Sequence, residues 1–112
     1  MAIFNPKPLK EQYVMEDAAA DIKRAARMEK YRVSDRAVYI PAGLMWEYLP
    51  MSCIHEVRRA KRSVSAENSC IPFDQDLPAI TLLYGEEEKY YLELNSEKTT
   101  EKFLSLLTQA IG

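Results

Sequence analysis

Glycine is scarce: Gly43, Gly85 and Gly112 are the only three in 112 residues. None begins a phosphate-cradling loop, where clustered glycines let main-chain N–H groups approach a ligand, and this argues against a nucleotide enzyme. Cysteine is rarer still. Cys53 and Cys70 are too few for the disulfide framework of a small secreted domain, and both are read as reduced, buried thiols. His55 is the single histidine. With Cys53 and Cys70 it supplies at most three soft ligands where structural zinc wants four, and a Cys–His nucleophile pair would lack its third, orienting group. No metal, cofactor or catalytic residue is assigned, and the chain is read as a non-enzyme. No apolar run approaches the ~20 residues of a membrane span. The opening, MAIFNPKPLKEQYV, lacks the basic-then-apolar order of a signal peptide, so a cytoplasmic location is expected.

A basic excess is also missing. The formal net charge is -2, whereas a dedicated nucleic-acid binder gains from counterion release through many cations. The charge is unevenly spread: residues 1 to 62 carry +4 and residues 63 to 112 carry -6. Such a split either supports head-to-tail self-association or cancels across one folded surface, and cancellation is the simpler reading.

What is present is enough for one core. The length suits a single domain, 47% of residues are hydrophobic, and seven Tyr, three Phe and one Trp provide large side chains. Pro6 and Pro8 oppose a helix in the first thirteen residues, which read as an arm anchored by Ile3, Phe4 or Leu9. From Val14 to Met28, the apolar spacing Met15, Ala18, Ala19, Ile22, Ala26 predicts a helix with a thin face, and Asp21, Lys23, Arg24 and Arg27 fall mostly off that stripe. The helix either docks on the chain's own sheet or packs on another copy, and docking is the simpler expectation.

Short β-prone segments follow: Lys30 to Ser34, Ala37 to Pro41, and Leu44 to Leu49, with turns at Asp35–Arg36 and Ala42–Gly43. Ile54 to Val64 makes a fourth strand whose Arg58, Arg59, Lys61 and Arg62 suggest an exposed edge. A turn at Ala66 to Asn68, a short strand from Ser69 to Phe73 and a loop from Asp74 to Pro78 come next. Two more strands, Ala79 to Tyr84 and Lys89 to Leu94, flank a polar hairpin at Gly85 to Glu88. Ser96 then caps a final helix with an apolar stripe of Phe103, Leu106, Leu107, Ala110 and Ile111, widened by Leu104.

Three features invite chemistry, and each has a plainer reading. Arg58, Arg59, Lys61 and Arg62 form the one candidate anionic-partner site, although strand alternation puts Arg59 and Lys61 on one face and Arg58 and Arg62 on the other. Glu86, Glu87 and Glu88 resemble a carboxylate cluster but lie in a hairpin turn, where solvated charge is normal. Tyr84, Tyr90 and Tyr91 suggest a base-stacking platform, yet Glu86 to Glu88 and Glu93 would repel a nucleic-acid backbone.

The order of seven short antiparallel strands and a carboxy-terminal helix resembles the pleckstrin-homology-like (PH-like) fold, a bent barrel of two sheets plugged at one end by a helix. The run YRVSDRAVYIPAGLMWEYLPMSCIHEV also looks like the opening of bacterial PH-like domains, through Ser34, Asp35, Arg36, Tyr39, Ile40, Leu49, Pro50 and Ser52. The resemblance spans about residues 30 to 111. It implies an α+β chain with residues 1–29 as an arm and helix extending a domain at residues 30–112. In lipid-binding members the phosphate-binding basic residues sit around the loop joining the first two strands. On this alignment that loop is Ser34–Arg36, too short and too weakly basic for an inositol phosphate. The expected role is therefore a noncatalytic module that binds a protein partner or itself, through the arm and helix or a sheet edge. Anionic-ligand or headgroup binding at Arg58 to Arg62 is the alternative, and no nucleic acid or small-molecule substrate is implied.

Overall fold

The structure, a computed structural model, describes residues 6–64 and 75–111. It is an α+β arrangement of eight strands in two sheets with two helices. The strands are β1 (Lys7–Pro8), β2 (Ala26–Met28), β3 (Tyr31–Val33), β4 (Ala37–Ala42), β5 (Met45–Pro50), β6 (Ile54–Val64), β7 (Gln75–Tyr84) and β8 (Glu88–Glu93). The helices are α1 (Ala18–Arg24) and α2 (Glu97–Ile111). The first sheet runs β1-β5-β4-β3-β2 and the second β6-β7-β8. All ladders are antiparallel except β1 against β5. No ladder joins the two sheets among the described residues, so the expected closed barrel is corrected to a pair of open sheets around a shared core.

That core follows from period two. Val33, Val38, Ile40 and Leu49 from the first sheet meet Ile54, Ile80, Leu82 and Leu92 from the second, and Phe103 and Leu107 of α2 close it. Ser96 caps α2 as its sequence position foretells: its Oγ accepts the Thr99 N–H at 3.3 Å. The Glu29 carboxylate reaches across from the β2–β3 turn to accept the N–H groups of Asn95 and Ser96 at 2.9 to 3.0 Å.

The amino-terminal region departs most from expectation. Instead of one helix over Val14–Met28, α1 occupies only Ala18–Arg24, because Ala25 is extended (φ -73°, ψ 143°) and Ala26–Met28 pairs with β3. The turn is only Glu29–Lys30, with Glu29 at φ 57°. The arm is more than a tail, since β1 extends the first sheet and the Leu9 N–H donates to the Tyr48 carbonyl at 2.8 Å. Docking of the helix on its own sheet holds: Ala18 and Ile22 pack on Ala37, Tyr39 and Tyr48.

Three boundaries also move. The β4–β5 turn is Gly43–Leu44, so Leu44 leaves the strand and stands 90% exposed. Residues 75–78, expected in a loop, begin β7, with Lys61 opposite Pro78 and Arg62 opposite Leu77. The expected turn at 66–68 and strand at 69–73 lie outside the described residues.

Candidate functional site

Of the four predicted cations, the side chains of Arg58, Arg59 and Lys61 are described and that of Arg62 lies outside the description. β6 lies at an edge of the second sheet, as its charge suggested. Arg58 pairs with Glu56 on its own strand. Arg59 turns instead to α2, pairing with Glu97 and, at 3.7 Å, with Glu101. Lys61 is exposed and makes no ion pair among the described residues. Strand alternation thus separates the cations, and two of them already face carboxylates.

A different group of cations comes together on the outer face of the first sheet. The ladders set Arg27 opposite Arg32, Arg32 opposite Tyr39, and Tyr39 opposite Tyr48, so these side chains form a row on the face that carries α1. α1 covers the Tyr39–Tyr48 end of that row and leaves the arginine end open. There, Arg27, Lys30 and Arg32 line a cleft of about 300 Å³ with Pro41 and Trp46. The Arg32 guanidinium lies 5.3 Å from the Trp46 ring centroid, and the Lys30 ammonium 5.4 Å from that of Tyr31.

No acid neutralises these three cations by an ion pair among the described residues. Glu29 also lines the cleft, but its carboxylate is committed to the start of α2. Only its carbonyl oxygen serves the cluster, accepting from Arg27 Nε at 3.2 Å. The cleft thus presents donors and positive charge beside an indole.

Beneath α1 the same sheet face holds a buried carboxylate that sequence reading placed off the apolar stripe. Asp21 is 1% exposed. Its Oδ2 accepts from Tyr39 and Ser34 hydroxyls, each at 2.5 Å, and its Oδ1 from Arg24 at 2.8 Å. Burial opposes its ionisation, but the hydrogen bonds from Ser34, Tyr39 and Arg24 outweigh that and hold its pKa below the ordinary 3.8. Ser34 Oγ in turn accepts the N–H groups of Arg36 and Ala37 at 3.0 and 3.1 Å, so the Ser34–Arg36 turn is tied to α1.

A larger cleft, about 600 Å³, opens between the arm, the Ser34–Arg36 turn, a short 3₁₀ turn at Met51–Cys53 and the end of α2. Cys53 is half-buried there. His55 points elsewhere, its Nε2 lying 3.1 Å from the Gly85 carbonyl oxygen. Cys70 lies outside the described residues. Among the described residues no three His, Cys, Asp or Glu side chains gather as metal ligands, and no helix is long and apolar enough to cross a membrane.

Arg27, Lys30, Arg32 and Trp46 escaped sequence reading because the predicted helix absorbed Arg27. A signal was present: Met28, Tyr31 and Val33 are buried around a two-residue turn. Glu-Lys at that turn lacks the Asn or Gly that marks a hairpin. Against known proteins, the chain matches no family model, no curated protein and no solved structure.

Proposed function

We propose that the chain is a noncatalytic binding module that holds a phosphate-bearing group of a macromolecular partner against Arg27, Arg32 and Lys30, beside Trp46. The Arg27–Arg32 cross-strand pair carries this reading. Like charges directly opposite each other weaken an antiparallel pair, and no acid among the described residues forms an ion pair with either, whereas an anion from outside would offset them.

The element order supports the PH-like reading: β2 to β5 in one antiparallel run, then β6 to β8, then α2. Counting β2 as the first strand moves the first inter-strand loop from Ser34–Arg36 to Glu29–Lys30, which holds Lys30 and is flanked by Arg27 and Arg32. That turn is shorter still, so phosphate recognition here rests on the strand-borne Arg27 and Arg32 beside it and not on a cradling loop. Self-association through the arm and α1 is less favoured, because Ala18 and Ile22 already pack on the chain's own tyrosines.

Two probes test the proposal and distinguish its sources: vesicles of mixed neutral and anionic phospholipid, and an immobilised phosphoserine peptide. The expected result is salt-sensitive retention on one of them, weakened at least about tenfold in the Arg27→Glu, Arg32→Glu double variant. Retention on neither, or equal retention of wild type and variant, contradicts it.

A further inference from the structure

We infer that the outer edge of β6 accepts an extended acidic segment of a partner protein as an added strand, at a surface separate from the cationic cleft. β6 is eleven residues long and is paired on one side only among the described residues. Its register with β7 is unbroken from Glu56 opposite Leu83 to Val64 opposite Gln75. Nine residues at about 3.3 Å each offer an edge of about 30 Å, ample for a peptide ladder.

Proteins usually blunt such an edge with a bulge, a proline, short length, charge or a covering helix or loop. The one irregularity lies at His55, before the regular stretch begins, and residues 56–64 contain no proline. Charge and the neighbouring α2 are the guards that remain, and the charge is mainly basic: Arg58, Arg59, Lys61 and Arg62 against Glu56, with Glu97 and Glu101 of α2 beside Arg59. Such charge repels basic edges, including β6 of a second copy, where four bases would meet four. An acidic strand is drawn by the basic excess, most directly at Lys61, which has no ion-pair partner among the described residues. Arg58 and Lys61 are exposed, and Arg59, though paired with α2, remains partly open to solvent. Arg58 and Lys61 lie on opposite faces of the strand, so acidic residues three apart in the incoming segment, which also face opposite ways, each find a cation.

The test uses the full chain and a nine-residue unphosphorylated peptide in which adjacent Glu pairs, one Glu on each face, are separated by Val and Thr. Two N-methylated forms accompany it, each blocking one alternate set of its amides. Strand addition uses only one set, so one form should bind like the parent and the other lose binding at least about tenfold. Amides of residues 56–64 should gain hydrogen-exchange protection, and Arg58→Glu, Lys61→Glu should weaken binding with the circular dichroism spectrum unchanged. Absence of peptide binding, equal effects of the two methylated forms, or protection confined to other residues would overturn the inference. Because the probe carries no phosphate and Arg27 and Arg32 are untouched, the outcome is independent of the cationic cleft.

Discussion

Asp21 shows how one side chain can hold an element too small to hold itself. α1 is seven residues long and contributes only Ala18 and Ile22 as buried apolar anchors. Its docking leans on the carboxylate that gathers Tyr39, Ser34 and Arg24. Asp21→Asn keeps the shape but replaces an acceptor with a donor facing other donors, and should cost about 1–3 kcal/mol in urea unfolding at pH 7. The sign with pH follows from a folded pKa below the unfolded one. The charge stabilises fully above the ordinary 3.8 and loses that contribution as pH falls through the folded value. The gap between wild type and Asp21→Asn should therefore close below pH 3.8, and a constant gap would contradict the assignment.

Gly85 likewise holds its turn through one residue's backbone conformation. It sits at φ 62°, and an added Cβ would lie 2.6 Å from the Tyr13 hydroxyl. Gly85→Ala should lower stability by about 1–2 kcal/mol from backbone strain, and more if Tyr13 cannot move. Thermal unfolding measures it, and an unchanged midpoint would show that the arm does not press on this turn.

Among the elements, legibility tracked the strength of the local signal. α2 and the β7–β8 hairpin were readable because cap, stripe and alternation all agree, and Phe103 and Leu107 are fully buried as the stripe requires. Phe103→Ala or Leu107→Ala should each cost about 2–5 kcal/mol in denaturant unfolding, against little for exposed Lys102→Ala. α1 and β2 were not separable from sequence. Ala26, Arg27 and Met28 continue a helical spacing as well as they make a strand, and tertiary pairing with β3 decides between them. The start of β7 was hidden similarly, because Pro78 reads as a breaker yet is accommodated opposite Lys61.

Across the whole molecule, the split between a basic first part and an acidic last part is only partly cancelled internally. Arg59 with Glu97 and Glu101, and Lys10 with Glu88, join the two parts across the fold. Arg27, Lys30 and Arg32 are left without such partners among the described residues, and that remainder gives the first sheet its positive outer corner. The basic run that stands out in the sequence is dispersed by strand alternation, while the cluster that assembles comes from residues separated by a turn and recruits Trp46 from β5. A linear charge count finds the first kind of cluster and misses the second, since only strand register brings the latter together.

The two basic groups can be compared directly in one amide-resolved NMR titration of the chain with inositol hexakisphosphate, a soluble polyanion. The proposed module should show saturable shifts concentrated at residues 27–32 and at the Trp46 indole N–H, diminishing as salt is raised. Shifts concentrated at residues 58–62, or none at the indole, would contradict it.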